Sequence, residues 1–581
     1  MKARIIDRVL YSPYPSVDIP EFSFYTLAKQ QLLVNPEKPL LVSDVASLTR
    51  RETLTHMERY AIGFRRNGVA PGDRICIHLD NGVENLVALY GCILAGAVVV
   101  LAKPSLTENE LRYQAEDSDC THILTQKKYT EKVGKVAAAL SMKGTFCMEP
   151  ASGFVPVAEF LDLDEKVFVE VAVKKPRDTV LAVCYTSGST GLPKGAEITH
   201  YNYVAAFYAS TKFSQDFVPE DQGHSGKAVF FTIIATTTAS SLFRSIGNAR
   251  TSPMRHLQWS SSDVLLASTP ITHQSGMMYN VLGALAGATC VVAPTNVAPL
   301  QAMDIIDKYK VTAAVFFPSQ LQAMVREMRR AGRKLPSIRR IASGGSVVPQ
   351  SVAKAAYEEF GGLEQLIHLY GMTESCGVVT AQPPSSKCRE STDVGIPVTG
   401  VAVKVVDIRT REKLGPHQVG EICFRSTSMV RGYYKRPKES AELFDEDGWC
   451  KSGDAGYYDE DGRFYFYERL KQMIKCMDNQ VVPSELEELL LRVHAAEIAE
   501  VSVVGLSHPE YGEAAAAAVV LTDEGRRQDV NALINGIKAT VAANLAVHKR
   551  LYGGVHILDS LPKTETAKVN RPALARLLSY A

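Results

Sequence analysis

Hydrophobic residues in the first part of the chain alternate between helical spacing and unbroken apolar runs. Apolar residues every three to four positions are typical of helices, and unbroken runs are typical of strands buried on both faces of a sheet. The pattern predicts helices over residues 51–68, 84–94 and 108–116, and strands over residues 74–79, 98–102 and 122–125. Repeated strand and helix units predict an α/β fold with parallel sheets covered by helices.

The later part of the chain continues this pattern and then changes character. Strands are predicted at residues 264–268 and 313–317 and from residue 341 onwards, with a smaller β-rich lobe following. A charged tail then has predicted helices at 485–493 and 530–545 and strands at 499–505 and 554–558. We therefore expect a large N-terminal domain, residues 1–469, and a small α+β C-terminal domain, residues 470–581, that moves about a hinge at Lys471.

Residues 214–263 interrupt this order. The segment includes FFTIIATTTASSLFRSIGNARTSPMRHLQW, whose serine-, threonine- and arginine-rich part has no clear period. A structureless loop of this length is unusual inside a compact domain. Two hypotheses fit the segment: a surface insertion in the large domain, or the translation of an unspliced intron.

Composition and charge limit the kinds of molecule that the protein is expected to bind and the compartment in which it is expected to occur. The 581 residues, 46% hydrophobic and 22% charged, are enough for several cores. The formal net charge of +1 favours neither nucleic acid nor an anionic membrane. Eleven cysteines without a CxxC pair suit a reducing compartment, and no apolar run reaches the roughly 18 residues of a membrane span. The final residues lack a Ser-Lys-Leu address, so we expect a cytoplasmic rather than a peroxisomal protein.

The first segment that could bind a ligand is residues 185–195, YTSGSTGLPKG, which follow the apolar run 180–184. Glycines let the backbone approach a ligand closely, so N–H groups and hydroxyls can donate to phosphate oxygens while Lys194 supplies a mobile positive charge. Pro193 and Gly195 flank the lysine, so the segment is not a Walker P-loop. A flexible linker is the alternative, although linkers rarely combine a preceding strand with a placed lysine.

Two later segments carry groups suited to a nucleotide. Residues 366–375, LIHLYGMTES, offer the aromatic ring of Tyr370, the hydroxyl of Thr373 and the carboxylate of Glu374 directly after a predicted strand. Residues 449–457, WCKSGDAGY, place Asp454 between glycines, so we expect it in a glycine turn where it could accept two ribose hydroxyls. The alternatives are a β-turn with an incidental acid and a purely structural aspartate.

With these motifs, and with LPKTETAKVNRPAL at residues 561–574, the chain resembles the adenylate-forming (AMP-binding) superfamily. The branch it resembles holds 4-coumarate–CoA ligases, fatty acyl-CoA synthetases and luciferases. The resemblance implies ATP-dependent activation of a carboxylic acid to acyl-AMP, transfer of the acyl group to CoA, and assistance by Mg²⁺. The residues it implies for ATP or AMP binding are Thr186, Ser187, Gly188, Ser189, Thr190, Gly191, Lys194, Gly344, Gly345, Ser346, His368, Leu369, Tyr370, Gly371, Met372, Thr373, Asp454 and Arg469.

The resemblance also implies roles for single residues outside the nucleotide site. The carboxylic acid pocket would include His273, Gly345 and Phe317. Glu374 would bind Mg²⁺, which prefers oxygen ligands. Lys568 would enter the site for adenylation.

The second half-reaction would use a different surface of the small domain. Rotation about Lys471 would exchange Lys568 for Lys475 and Gln480, near the thiol of CoA.

Some positions depart from the superfamily pattern. Met477, Asp478 and Asn479 stand where a Lys-Gly-Phe is usual beside the CoA tunnel, and Ala567 replaces the glycine before Lys568. Losing a lysine and adding a carboxylate should disfavour the phosphates and pantetheine of CoA. These departures keep an ATP-binding regulatory protein with a decayed thioester step as an alternative. Luciferase-type oxidation is a second alternative, because it also proceeds through an acyl-adenylate. A carrier-protein unit is not expected, because no carrier domain follows the tail.

Overall fold

The computed structural model describes residues 2–186, 192–212, 261–295, 297–383, 392–477, 479–564 and 568–579. Within these ranges the chain forms three sheets up to residue 469 and a fourth sheet in the remainder. The predicted α/β fold class, with a large N-terminal and a small C-terminal domain, is confirmed. The predicted residues that lie outside the described ranges are Ser187, Gly188, Ser189, Thr190, Gly191, Asp478, Ala567 and nearly all of the segment 214–263.

The strands in chain order are β1 (Arg4–Ile6), β2 (Val9–Tyr11), β3 (Pro39–Val42), β4 (Ser47–Thr49), β5 (Arg74–His78), β6 (Val98–Leu101), β7 (His122–Thr125), β8 (Gly144–Cys147), β9 (Val155–Pro156), β10 (Val180–Thr186), β11 (Lys194–Thr199), β12 (Val264–Ala267), β13 (Thr289–Val292) and β14 (Ala313–Phe316). They continue with β15 (Arg340–Gly344), β16 (Gln365–Met372), β17 (Gly377–Ala381), β18 (Ile396–Pro397), β19 (Val401–Val406), β20 (Gly420–Ser426), β21 (Cys450–Tyr458), β22 (Phe464–Arg469), β23 (Ile474–Cys476), β24 (Asn479–Val481), β25 (Ile498–His508), β26 (Gly512–Leu521) and β27 (Val555–Ile557).

The helices are α1 (Phe24–Leu32), α2 (Arg50–Arg66), α3 (Val83–Leu94), α4 (Glu108–Asp117), α5 (Thr130–Ala139), α6 (His200–Lys212), α7 (Gln274–Leu285), α8 (Pro299–Tyr309), α9 (Pro318–Ala331), α10 (Gln350–Phe360), α11 (Pro437–Leu443), α12 (Pro483–Val493), α13 (Val530–Asn544) and α14 (Arg571–Ser579). None of the described helices is both long enough and apolar enough to cross a membrane.

The first sheet has the order β11-β10-β6-β5-β7-β8-β9 and is parallel apart from the β10–β11 pair. The strand and helix units predicted between residues 51 and 125 are all found in it or on its faces. Helix α2 begins with a capping box, in which Thr49 and Glu52 each accept a hydrogen bond from the other's backbone N–H. The hydrophobic pattern of the sequence and the capping box thus place the start of this helix at nearly the same residue.

The second sheet has the order β18-β17-β16-β15-β14-β12-β13-β3-β4 and is parallel from β16 to β3. Residues of the first two sheets share one hydrophobic core with helices α2, α3, α6 and α7. The hydroxyls of Tyr90 on α3 and Tyr203 on α6 lie 2.7 Å apart, and each lies within hydrogen-bond distance of the carbonyl of Met277 on α7. This buried network fixes the helices, and with them the ends of the strands that form the site.

The end of the predicted insertion belongs to the second sheet. Asp263 is 1% exposed, accepts a hydrogen bond from the Thr312 hydroxyl at 3.0 Å and pairs with Arg340. Because it is buried directly before β12, Asp263 is part of the sheet's framework and not of a surface loop.

The third sheet, with the order β1-β2-β19-β20-β21-β22, is antiparallel and forms the predicted β-rich lobe. The fourth sheet, β24-β23-β26-β25 with β27 beside β26, packs with α12, α13 and α14 in the small domain. Gln322 donates to the Ala499 carbonyl at 3.2 Å, and Ser484 donates to the Tyr467 carbonyl at 3.2 Å. These polar contacts join the small domain to the large one.

Candidate active site

A cavity of about 810 Å³ lies where strands of the first two sheets end, beside the lobe and the small domain. The carboxyl ends of parallel strands are the usual place for a binding crevice in α/β folds. The sequence-predicted residues that line it are Thr186, Lys194, His273, Phe317, Gly344, Gly345, Ser346, Leu369, Tyr370, Gly371, Met372, Thr373, Glu374, Asp454, Arg469, Lys471 and Lys568. Residues from three sheets and from the C-terminal tail therefore surround one space.

Lys568 reaches this cavity from the small domain and lies against Gly345. A Cβ built on Gly345 would stand 2.8 Å from Cε and 2.9 Å from Nζ of Lys568. The same Nζ lies 5.8 Å from the centre of the Phe317 ring, within cation–π range. Gly345 has a φ of +87°, which residues with a Cβ rarely adopt. The glycine thus serves both the turn after β15 and the approach of the lysine.

Burial and neighbouring charges shift the pKa of Lys568. Burial and the positive charges of Arg469 and Lys103 lower the pKa of Lys568 to about 8, against the opposite effect of Asp454. A group with this pKa is still mostly protonated at neutral pH. Lys568 can therefore neutralise an anion that binds beside Gly345.

Asp454 anchors the end of the cavity that faces the lobe. It is 2% exposed, its Oδ2 accepts a hydrogen bond from the Tyr370 hydroxyl at 2.8 Å, and its Oδ1 lies 3.3 Å from Arg469 Nε. Burial raises the pKa of Asp454, although Arg469 and the Tyr370 hydroxyl act in the opposite direction. The prediction that Asp454 lies in a glycine turn is wrong: it lies in strand β21, opposite Arg469 in β22. Its neighbour Gly453 does have a positive φ, of 70°, but without ending the strand.

Glu374 lies in the short 3-10 turn that follows β16 and is 6% exposed. Its Oε1 accepts a hydrogen bond from the Tyr433 hydroxyl at 2.6 Å. The Nζ of Lys194 lies 5.4 Å from the centre of the same tyrosine ring. No group of three or more His, Cys, Asp or Glu side chains that could hold a metal occurs in the described part of the chain. A single carboxylate would suit Mg²⁺ if a phosphate bound beside it, because this ion takes most of its ligands from phosphate and water.

His273 follows β12 and faces the cavity beside α7. Its Nδ1 accepts a hydrogen bond from the Ser275 N–H at 3.2 Å and lies 2.7 Å from the Ser275 hydroxyl. Burial, together with Lys103 and Lys568, lowers the pKa of His273 to about 3. The ring is therefore neutral at physiological pH and, with Nδ1 accepting, carries its proton on Nε2.

Lys103 and Tyr433 are among the lining residues that sequence reasoning missed. Lys103 comes two residues after β6. Residues 366–375 were singled out because their polar groups directly follow a predicted strand, and the same criterion would have found Lys103. Tyr433 lies in the segment 430–437, which carried no chemical signal of its own. Only its hydrogen bond to Glu374 in the folded chain brings it to the site.

Several predicted residues lie away from the cavity. Lys475 pairs with Gln480 across the β23–β24 hairpin, and both side chains are exposed. In the same hairpin Met477 takes the left-handed backbone conformation, with φ 52°. His368 is 5% exposed and does not line the cavity, and its backbone N–H donates to Gln382 Oε1. The structure thus does not bring Lys475, Gln480 or His368 to the site that holds Lys568.

Known proteins share both the sequence pattern and the fold. The profile of the AMP-binding enzyme family matches residues 28–434, and that of the AMP-binding enzyme C-terminal domain matches residues 485–568. The 4-coumarate–CoA ligase 3 of Oryza sativa subsp. japonica is 30% identical over 545 residues, which cover 91% of this chain and 87% of the relative. The luciferin 4-monooxygenase of Luciola mingrelica is 27% identical over 533 residues, which cover 90% and 87%.

Among solved structures, the anthranilate CoA ligase AuaEII in complex with anthranoyl-AMP superimposes with a TM-score of 0.79 at 19% identity. The alignment covers 97% of this chain and 98% of the ligase. At this identity the structural match supports the fold. The family is established by the profile, which spans more than half of the chain. The chain belongs to the AMP-binding enzyme family, within the adenylate-forming superfamily of acid–CoA ligases and luciferases.

Proposed function

We propose that this protein is an AMP-forming acid–thiol ligase. In the first step a carboxylate oxygen of the acid attacks the α-phosphorus of ATP, and the bond to the β-phosphate breaks to release pyrophosphate. In the second step the thiol of CoA attacks the acyl-AMP and releases AMP. The observation that carries the proposal is Lys568, which lies against Gly345 in the same cavity as Thr373 and Asp454.

The first step brings two anions together, so the site has to neutralise charge and hold the reactants in line. Lys568 would bind the reacting carboxylate and the α-phosphate, because its ammonium is the group nearest the turn at Gly345. The neutral ring of His273 would donate from Nε2 to an oxygen of the acid. Phe317 closes the same side of the cavity and would contact the body of the acid.

The remaining groups suit the nucleotide. Asp454 and Arg469 would bind the ribose, and Tyr370 and Gly371 would lie along the adenine. Thr373 would donate to the α-phosphate. Glu374, held by Tyr433, would hold Mg²⁺ together with phosphate oxygens, and the ion would shield the charge of the triphosphate.

The second step needs a different face of the small domain. Lys475 and Gln480 are exposed on the hairpin in the arrangement that buries Lys568, so a rotation about Lys471 could exchange one face for the other. Polar contacts such as the hydrogen bond from Gln322 to the Ala499 carbonyl join the domains and would have to break in this rotation. We place the boundary of the moving part after residue 469.

The test is an acid-dependent exchange of pyrophosphate into ATP, run across aromatic, medium-chain and long-chain acids. The Lys568→Ala variant should lose the exchange by at least about a hundredfold while still binding ATP, because it removes a charge needed as the transition state forms. The matched control is Lys538→Ala, an exposed lysine on α13 outside the cavity, which should keep wild-type exchange. Equal exchange by both variants would remove Lys568 from the mechanism, and no exchange by the wild type with any acid would reject the ligase.

Luciferase-type oxidation is the second candidate, because a luciferin 4-monooxygenase is 27% identical over most of this chain. It uses the same acyl-adenylate, so it predicts the same exchange. The two are separated by the next step: oxygen uptake or light from an acyl-adenylate without CoA favours the oxidase, and CoA-dependent release of AMP favours the ligase. Nucleotide binding without either product would favour a regulatory protein.

A further inference from the structure

Lys103 stands at the carboxyl end of the first sheet, beside the strand that leads into the nucleotide site. Strand β6 is parallel to β10, and Leu101 pairs with Cys184. Two residues further along, Lys103 is therefore level with Thr186, the last residue of β10. On the other side of β10, Thr186 pairs with Lys194 in β11. The strand order β11-β10-β6 thus sets one lysine on each side of Thr186, and all three residues line the cavity.

The ammonium of Lys103 has no partner of opposite charge within the described ranges. It forms no ion pair with a carboxylate and donates no hydrogen bond to a protein group there. Its side chain is half-buried, and its charge helps to lower the pKa of both His273 and Lys568. A partly desolvated cation without a counter-ion is costly, so the cavity is arranged for an anion at this position.

Two anions enter the cavity in the proposed reaction, the acid and ATP. In a displacement at phosphorus the attacking and leaving oxygens lie roughly in line on opposite sides of the phosphorus. Lys568, Gly345 and Phe317 form the side of the acid, so the leaving pyrophosphate lies on the other side. Lys103 flanks Thr186 together with Lys194, and the strands β6, β10 and β11 that carry them belong to the first sheet, whereas Gly345 follows β15 of the second sheet.

We propose that Lys103 binds the β- and γ-phosphates of ATP and the pyrophosphate that leaves, as a second phosphate-binding lysine opposite Lys194. This inference rests on the proposed function and goes beyond it, because it assigns a new residue to the leaving group. As the carboxylate oxygen bonds to the α-phosphorus, the electron pair of the α–β bridging bond passes to the pyrophosphate. Lys103 neutralises the negative charge that the pyrophosphate gains.

The test is direct ligand binding, which requires no knowledge of the acid. Isothermal titration with Mg²⁺ present measures the affinities of α,β-methylene-ATP and of AMP for the wild type, Lys103→Met and Lys103→Arg. The matched control is Lys127→Met: Lys127 also stands two residues after a strand of this sheet, β7, but it is exposed and does not line the cavity. A thermal melt of each variant verifies that it is folded.

The Lys103→Met variant should bind α,β-methylene-ATP roughly tenfold or more weakly, the usual effect of losing a hydrogen bond to a charged group, and AMP within about twofold of wild type. The Lys103→Arg variant should recover part of the loss, and Lys127→Met should show none. Unchanged affinity for the triphosphate analogue would overturn the proposal, and so would an equal loss for AMP. If the wild type bound neither nucleotide, the proposed function itself would fail.

Discussion

If Lys568 acts in adenylation as proposed, its pKa should set the upper pH limit of that step. Only the ammonium form can neutralise the reacting anions, so acid activation should fall as the pH rises through the pKa of this group. Burial, Arg469 and Lys103 hold that pKa at about 8 instead of the usual 10.5. A solvated lysine would stay charged over the whole working range. We therefore expect a basic limb in the rate profile that an ordinary surface lysine would not produce.

The expected size follows from the titration alone. A group with a pKa of about 8 is roughly nine-tenths charged at pH 7 and roughly one-tenth charged at pH 9, so the rate should fall about tenfold for each further pH unit. The profile of kcat/KM for ATP reports groups of the free enzyme, so it should bend near pH 8. The profile of kcat should bend at higher pH, because bound anions favour the charged form of Lys568.

The assay is acid-dependent pyrophosphate exchange between pH 6 and pH 10 in buffers of constant ionic strength. In Lys568→Arg the guanidinium stays charged throughout, so any remaining activity should lack the basic limb. The Lys538→Ala control should keep it. A wild-type profile that stays flat to pH 10, or a limb at the same pH in the arginine variant, would refute the link between this limb and Lys568.

Two further predictions concern Gly345, which Lys568 contacts, and Lys475, which lies on the other proposed surface of the small domain. Gly345→Ala places a Cβ within 3 Å of Lys568 and forces a left-handed backbone that costs about 1–2 kcal/mol, so exchange should fall at least tenfold and the thermal midpoint should drop; unchanged exchange would mean that the lysine does not work from this position. Lys475→Ala should leave exchange within about twofold and slow the CoA-dependent release of AMP, since Lys475 lies outside the cavity that holds Lys568. Equal losses in both half-reactions would contradict two separate surfaces.

Local hydrophobic pattern was enough to predict the bounds of several helices and strands. Strand β7 begins and ends at the predicted residues, and α12, predicted over residues 485–493, begins two residues earlier and ends at the predicted Val493. The position of these elements is determined by the spacing of apolar residues and by residues typical of helix starts, all within the same few positions of the sequence. Asp454 was misplaced for the same reason: its neighbouring glycines indicated a turn, whereas pairing with the distant strand β22 holds it in a strand. Tyr433 could not be predicted, because its role depends on a contact with Glu374, 59 residues away in sequence.

In the proposed reaction, the departures at residues 477–479 would bear on the CoA half-reaction only. Met477 and Asn479 belong to the β23–β24 hairpin, and neither lines the cavity that holds Lys568, Gly345 and Asp454. A change on that hairpin can therefore alter the approach of CoA without moving a group that would activate the acid. Because the small domain would have to leave the first arrangement before the hairpin can act, the two proposed steps could change independently in this protein. A loss of thioester formation in this protein would consequently leave an intact adenylating site.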